Sequence, residues 1–314
     1  MKVLVVNAGS SSLKYQVVDM TTEKALCSGG IERIGIDGTK ITHKKGDEKT
    51  VVMKNLANHT DALDEVISLL LDKTTGVLSS LSEISAIGHR YVNAGEDILK
   101  TTLVTEDVLA QLKMNVSFAP VHDPAHIACL ESCIKLLPNV PNVIVLDTAF
   151  HATMPKKAFM YAIKYEDYEN FEVRRYGAHG TSHKFVSQEA TKYLKEKGLP
   201  CANIVTCHLG NGSSITAVKD GKSIDTSMGM TPLVGIPMGT RSGDIDVSAA
   251  QALADKKGMN FAETVNYLNK QCGYLGVSGV SSDSRDLYAA KAEGNERAAL
   301  ALDIFVYDTQ KYIG

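Results

Sequence analysis

Hydrophobic positions follow two rhythms along this chain. The opening run Lys2–Val6 is short and rich in β-branched residues, Asn7–Ser12 is small and polar, and Leu13–Val18 alternates. That pattern predicts strand, tight loop, strand. It returns in the second half, where Asn203–His208 leads into Leu209–Ser214 and then Ile215–Val218, with Asp220-Gly221 as a hairpin turn. Two hairpins with glycine/serine loops read as an internal duplication, each copy offering backbone N–H groups to a ligand. Two unrelated hairpins would produce the same pattern. Between them the period lengthens. Leu63, Val66, Ile67 and Leu70 fall on one face of a helix over Asp61–Leu71, and Asp123-Pro124 supplies a cap and first turn for a helix through Leu137, closed by Pro138. Helices over Thr181–Lys197 and Asp244–Lys257 stop at Gly198 and Gly258. The apolar strand Val143–Leu146 delivers Asp147 at its carboxyl end, where α/β sheets place ligand-binding groups. Alternating strands and helices predict an α/β protein of two domains, 1–150 and 151–314, a boundary resting on the repeat and on domain size.

Composition narrows the chemistry. A chain of 314 residues, 44% hydrophobic and 22% charged, buries a real core and is not a disordered segment. A net charge of -3 provides no basic field for nucleic acid or an anionic membrane, so small molecules are the expected partners. No apolar run reaches membrane-spanning length and no leader segment is visible, and the six cysteines form no C-x-x-C pair, which predicts a cytosolic protein. The G-x-x-x-x-G-K-[ST] and G-x-G-x-x-G nucleotide signatures are absent, as are G-x-S-x-G and H-E-x-x-H. Seven of the nine histidines lie between His89 and His208, set in strings of small and polar residues. Core histidines do not usually cluster in this way.

Those strings carry a resemblance. Asn7–Lys14, Gly88-His89-Arg90, Asp147–His151, Arg175–His183, His208–Ser214 and Met238–Asp244 are similar to the motifs of the acetate kinase family, in the family's order and across the whole chain. The resemblance implies a duplicated, two-domain actin-like ATPase (ribonuclease H-like) fold with a central cleft. It further implies reversible transfer of the γ-phosphoryl group of ATP to acetate, giving acetyl phosphate and ADP, with Mg²⁺ or Mn²⁺ as cofactor and a homodimeric assembly. Phosphoryl transfer relies on positioning and on neutralising spread negative charge. By the resemblance Arg90 binds the substrate carboxylate, and Arg241 stabilises the transferring group through a guanidinium fork that suits anions. Asp147 takes an acidic role near the metal and the acceptor, His179 is a transition-state hydrogen-bond donor ahead of a helix N-terminus, and Asn7 is a metal-site ligand. Lys14, the loop His208, Leu209, Gly210, Asn211 and Gly212, and the segment Asp283, Ser284 and Arg285 contact the nucleotide. His122 and His183 are equally well read as supporting or core residues.

Several positions depart from the family pattern. Asn93 stands where the family usually has histidine and cannot carry its charge, whereas Asp123 replaces an asparagine of equal capping ability. Ala178 replaces a common phenylalanine. With Val92, Val121 and Pro232 as the other walls, the acyl pocket is expected to be roomier and to tolerate propionate, one methylene being worth only about 1–3 kcal/mol. The resemblance also implies a continuation beyond Gly314 with a strand, a glycine-rich adenosine loop and a metal-associated glutamate. On that reading the second domain is incomplete and these residues alone turn over ATP weakly or not at all. A catalytically weak nucleotide-binding relative and a propionate or butyrate kinase are the alternative functions.

Overall fold

The computed structural model describes residues 1–118 and 123–314. Two units, Met1–Ala149 and Phe150–Gly314, each hold their own contacts.

In the first unit an antiparallel meander, β1 (Lys2–Gly9), β2 (Ser12–Asp19), β3 (Lys24–Glu32), β4 (Lys40–Lys45) and β5 (Glu48–Met53), is followed by helix α1 (His59–Leu71). Then come β6 (Ile84–Tyr91), the short β7 (Thr102–Leu103), α2 (Glu106–Met114), α3 (Asp123–Leu136) and β8 (Asn142–Leu146). The strands form one eight-stranded sheet in the order β5-β4-β3-β2-β1-β6-β8-β7. β1, β6 and β8 run parallel, so their carboxyl ends finish on one side. The period-2 pattern fixes their faces. Leu4, Val6 and Ala8 of β1, Ile87 and His89 of β6, and Ile144 and Leu146 of β8 are buried. Asn7 and Arg90 fall on the alternate positions. α1 buries Ala62, Leu63, Val66, Leu69 and Leu70, and these pack with Leu4, Val6, Ile87, Cys129 and Cys133 in one core. Asn58 caps α1 by accepting from the Asp61 amide, which starts the helix at His59, two residues before Asp61. The first polar string is less of a loop than its composition predicts. β1 runs through Asn7 to Gly9, and only Ser10 and Ser11 separate it from β2.

The second unit begins with α4 (Lys156–Phe159), α5 (Tyr165–Phe171) and α6 (Gly180–Glu196), followed by β9 (Asn203–Leu209), β10 (Ser213–Lys219) and β11 (Lys222–Thr226). These strands form an antiparallel three-stranded sheet, β11-β10-β9. Asp220 and Gly221 both take positive φ, 51° and 74°, in the two-residue β10–β11 turn. Helices α7 (Val247–Lys257), α8 (Phe261–Lys270), α9 (Gly273–Ser278), α10 (Ser284–Ala292) and α11 (Glu296–Ile313) complete it. Tyr274, Leu287, Ala298, Ala301 and Leu302 of the last three form a separate core. Gly258 ends α7 in the left-handed conformation, and α6 stops before Gly198. The start of α7 differs from its sequence pattern. Asp246 is the cap, and the Asp244 carboxylate instead accepts from the Gly235 amide at 2.8 Å and from the Tyr312 hydroxyl.

Candidate active site

The first unit gathers its polar groups at the carboxyl ends of its parallel strands. Arg90 on β6 donates from Nε to both Asp147 oxygens at 3.0 and 3.1 Å, and from Nη2 to Oδ2 at 2.5 Å. Its Nη1 points at Asn7 Oδ1, 3.4 Å away. Asp147, directly after β8, is 3% exposed. Burial opposes the charge on Arg90, but the hydrogen bonds and charge of Asp147 outweigh it and raise the guanidinium pKa. Lys14 lies opposite Asn7 in the β1–β2 register and is exposed. The Asp147 carboxylate and Asn7 amide oxygen are hard donors, a set that fits Mg²⁺.

Val92 is buried just past β6. The Asn93 carbonyl oxygen accepts from the Gly95 amide at 3.1 Å, whereas its buried Nδ2 has no partner among the described residues. Asp123, fully buried at the start of α3, is pushed up to about 8. Burial is the main cause, and neither carboxyl oxygen has a hydrogen-bond partner among the described residues. Its neighbour His126 is driven down to about 4, first by burial and then by the charge of Arg90. The expectations placed on Val121 and His122 lie outside the described residues.

In the second unit four histidines meet around the start of α6. His179 is the residue before the helix and adopts φ 59°, a left-handed conformation costly for a side chain with a Cβ. Its Nδ1 lies 2.7 Å from Ser214 Oγ, and the same hydroxyl is 2.7 Å from His183 Nε2. His183 Nδ1 in turn meets Thr206 Oγ1 at 2.7 Å. His208 stacks on His179 with ring centroids 4.1 Å apart and reaches Ser182 Oγ at 2.9 Å. His183 is driven down to about 3 by burial and by the nearby imidazoles of His151, His179 and His208. It is therefore neutral in this setting, able to pass a hydrogen bond onward and unable to add charge.

The glycine loop between β9 and β10 sits against this cluster. A Cβ built on Gly212 would lie 3.3 Å from His179 Nε2 and 3.6 Å from Arg241 Nη1, so bare backbone separates imidazole and guanidinium. Arg241 donates to the Pro232 carbonyl at 3.1 Å. Gly239, two residues before it, has no room for a side chain because a Cβ would collide with Asn211 Oδ1. The other end of the loop opens into a cavity of about 630 Å³ lined by Leu209, Gly210 and Asn211 together with Asp283, Ser284 and Arg285. Asp283 caps α10 through the Arg285 amide and pairs with the Arg285 side chain, which holds its carboxyl down to about 2. Ala178 is buried beside Met228 and Met238, and its carbonyl meets His151 Nε2 at 3.0 Å.

Thus Asn7, Arg90 and Asp147 come together in the first unit. In the second, His179, His208, Gly212 and Arg241 form one cluster, and Leu209, Gly210, Asn211, Asp283, Ser284 and Arg285 line one cavity. Sequence reasoning missed Ser214 and Thr206, the hydroxyls that link the imidazoles. Their signal was weak: His183 follows His179 by one helical turn, and Ser214 ends the second glycine/serine string.

A guanidinium–carboxylate cluster at strand ends and a glycine loop flanked by imidazole and guanidinium define the class, an α/β phosphotransferase. The chain belongs to the Acetokinase family, whose sequence profile matches residues 2–314. It is 50% identical over 317 residues to an acetate kinase of Desulfitobacterium hafniense and 51% identical over 315 residues to one of Acetivibrio thermocellus. Each match covers 100% of this chain and 79% of the relative. Among solved structures, Porphyromonas gingivalis acetate kinase superposes with a TM-score of 0.91 at 42% identity, covering 100% of this chain and 78% of that one. A propionate kinase from Francisella tularensis gives 0.93 at 42% identity over 99% of this chain and 79% of that one.

Proposed function

We propose that this chain catalyses reversible transfer of the γ-phosphoryl group of ATP to acetate, yielding acetyl phosphate and ADP. The observation that carries the proposal is the bare Gly212 backbone flanked by His179 Nε2 and Arg241 Nη1, within a chain half identical to acetate kinases along its length. In the reaction one acetate oxygen forms a bond to the γ-phosphorus while the bond to the β,γ-bridging oxygen breaks, and ADP leaves with that electron pair. Arg90 positions the carboxylate, Arg241 neutralises the equatorial oxygens, and His179 and the loop amides of Asn211 and Gly212 donate to them, the Gly210 amide being held by the Gly212 carbonyl. The cavity lined by Asn211, Asp283 and Arg285 suits the nucleoside end of ADP. Asn7 and Asp147 would hold Mg²⁺ directly or through water, with Lys14 nearby. The cation supplies charge neutralisation on the phosphate oxygens.

The two units are proposed as the duplicated actin-like ATPase domains of a cytoplasmic homodimer. Val92, Ala178 and Pro232 are proposed acyl-pocket walls, and the likeness to a propionate kinase supports acceptance of propionate as well. The test is hydroxylamine trapping of the acyl phosphate formed from acetate, propionate and butyrate. Acetate is expected to react best with propionate close behind, and Arg241→Ala to lose about 10³-fold or more in kcat. Acyl phosphate formed best from butyrate, or undiminished by Arg241→Ala, would refute the assignment.

A further inference from the structure

Beneath the strand that carries Arg90 lies a group of side chains that phosphoryl transfer does not use. His89 projects from β6 to the buried face of the sheet, where Cys129 and Cys133 stand one turn apart on α3. All three are buried, at 4%, 1% and 0% exposure, and their ligating atoms lie within 4.8 Å of one another. The imidazole is already oriented by a polar partner. His89 Nε2 is 2.7 Å from Asn142 Oδ1, and the Asn142 amide is oriented by its own donation from Nδ2 to the Val140 carbonyl at 3.0 Å. Asn142 therefore accepts, Nε2 carries the proton, and the lone pair is left on Nδ1. A backing amide or carbonyl of this kind is the usual second partner of a ligating histidine. Thiols in an inert apolar core need no such arrangement, since buried cysteine otherwise behaves as a small hydrophobe.

We infer that His89, Cys129 and Cys133 form a structural site for a thiophilic divalent cation, Zn²⁺. The donor set decides the class of ion: two sulfurs and an imidazole select against Mg²⁺ and Ca²⁺, which prefer oxygen. Charge decides the valence. Two thiolates, a neutral imidazole and a divalent ion sum to zero, the state that a buried pocket tolerates, whereas a monovalent ion would leave a net negative charge. Both thiols lose their protons to solvent on binding, with no change of oxidation state. Zn–S bonds of about 2.3 Å put tetrahedral sulfurs about 3.8 Å apart, so the donors close by no more than about 1 Å. An ion here ties α3 to β6 at the residue before Arg90. Because the site is enclosed, loading accompanies folding.

The test refolds the whole chain with Cd²⁺, a spectroscopic surrogate, and passes it over a chelating resin. A single retained ion is expected, with a thiolate-to-cadmium charge-transfer band that Cys129→Ala and Cys133→Ala abolish and Cys207→Ala leaves intact. Refolding with Zn²⁺ in place of Cd²⁺ is expected to raise Tm. The ¹¹³Cd chemical shift of the unmutated chain reads the donor set even if a variant fails to fold, and a two-sulfur, one-nitrogen shift is expected. Absence of retained metal, a shift lacking two sulfurs, or a band surviving both core substitutions overturns the inference. Acyl phosphate formation plays no part in this readout, so failure here leaves the kinase assignment untouched.

Discussion

Asp123, which the resemblance sets in place of an asparagine, has its carboxyl raised to about 8 by burial. A folded-state pKa above the unfolded value of about 3.9 means that the folded chain keeps a proton which the unfolded chain gives up. Stability is then fully expressed below about pH 4 as far as this group is concerned, and it is lost as pH rises toward 8. Asp123→Asn removes that dependence while keeping the shape. Thermal unfolding followed from pH 5 to pH 8 is expected to show a falling Tm in the parent and a flatter profile in the variant. At pH 8 the variant gains up to several kcal/mol, since each tenfold difference in proton affinity between folded and unfolded chain is worth about 1.4 kcal/mol. The sequence pattern suggests Asp123 as a cap, whereas the structure makes it the first residue of α3 and gives its carboxyl oxygens no hydrogen-bond partner among the described residues. The burial of this carboxyl was not legible in the sequence, because a side chain's exposure depends on how α3 docks on the sheet.

At the scale of elements, the β9–β10 hairpin does the positioning in the second unit. Its loop is short because β9 extends to Leu209 and β10 begins at Ser213, and Gly212 is the position where a side chain would enter the space between His179 and Arg241. Gly212→Ala is expected to lower kcat about a hundredfold, the cost of misplacing reacting groups by about 1 Å, while Tm moves little because no left-handed φ is needed there. Circular dichroism melts and single-turnover rates on the same preparation check both halves of that expectation. Much of this was readable beforehand. Two hairpins, the helices ending at Gly198 and Gly258, and the strand leading to Asp147 follow from period and stop signals alone. What escaped was the reach of strands into polar strings: Asn7 belongs to β1 because ladder pairing with Lys14 satisfies its backbone, whatever its low strand preference. The hydroxyl links through Ser214 and Thr206 escaped for a related reason, since they join α6 to two strands by contacts that no local pattern encodes.

Across the whole molecule, the groups assigned to the organic acid and those assigned to the nucleotide belong largely to different units. Arg90, Asp147 and Asn7 are in the first, and the cavity with Asn211, Asp283 and Arg285 is in the second. Binding is therefore expected to separate by mutation. Arg90→Ala should raise KM for acetate more than tenfold and lower kcat, yet leave the affinity for metal-free ADP within about twofold by calorimetry, because Arg90 shares no partner with the cavity lined by Asn211, Asp283 and Arg285. A matching loss of ADP affinity would contradict this division of labour.

The pairing of Arg90 with Asp147 carries a further consequence. The guanidinium meets the solvent already chelated by a tethered carboxylate, so in the proposed role of Arg90 the recognition of an external acid is an exchange of partners, with an affinity that is a difference between two similar forks. The tethered rival is always present at high local concentration, which keeps retention loose and release quick. Flat two-oxygen anions can take part in that exchange, whereas amides of the same size have no charge with which to compete.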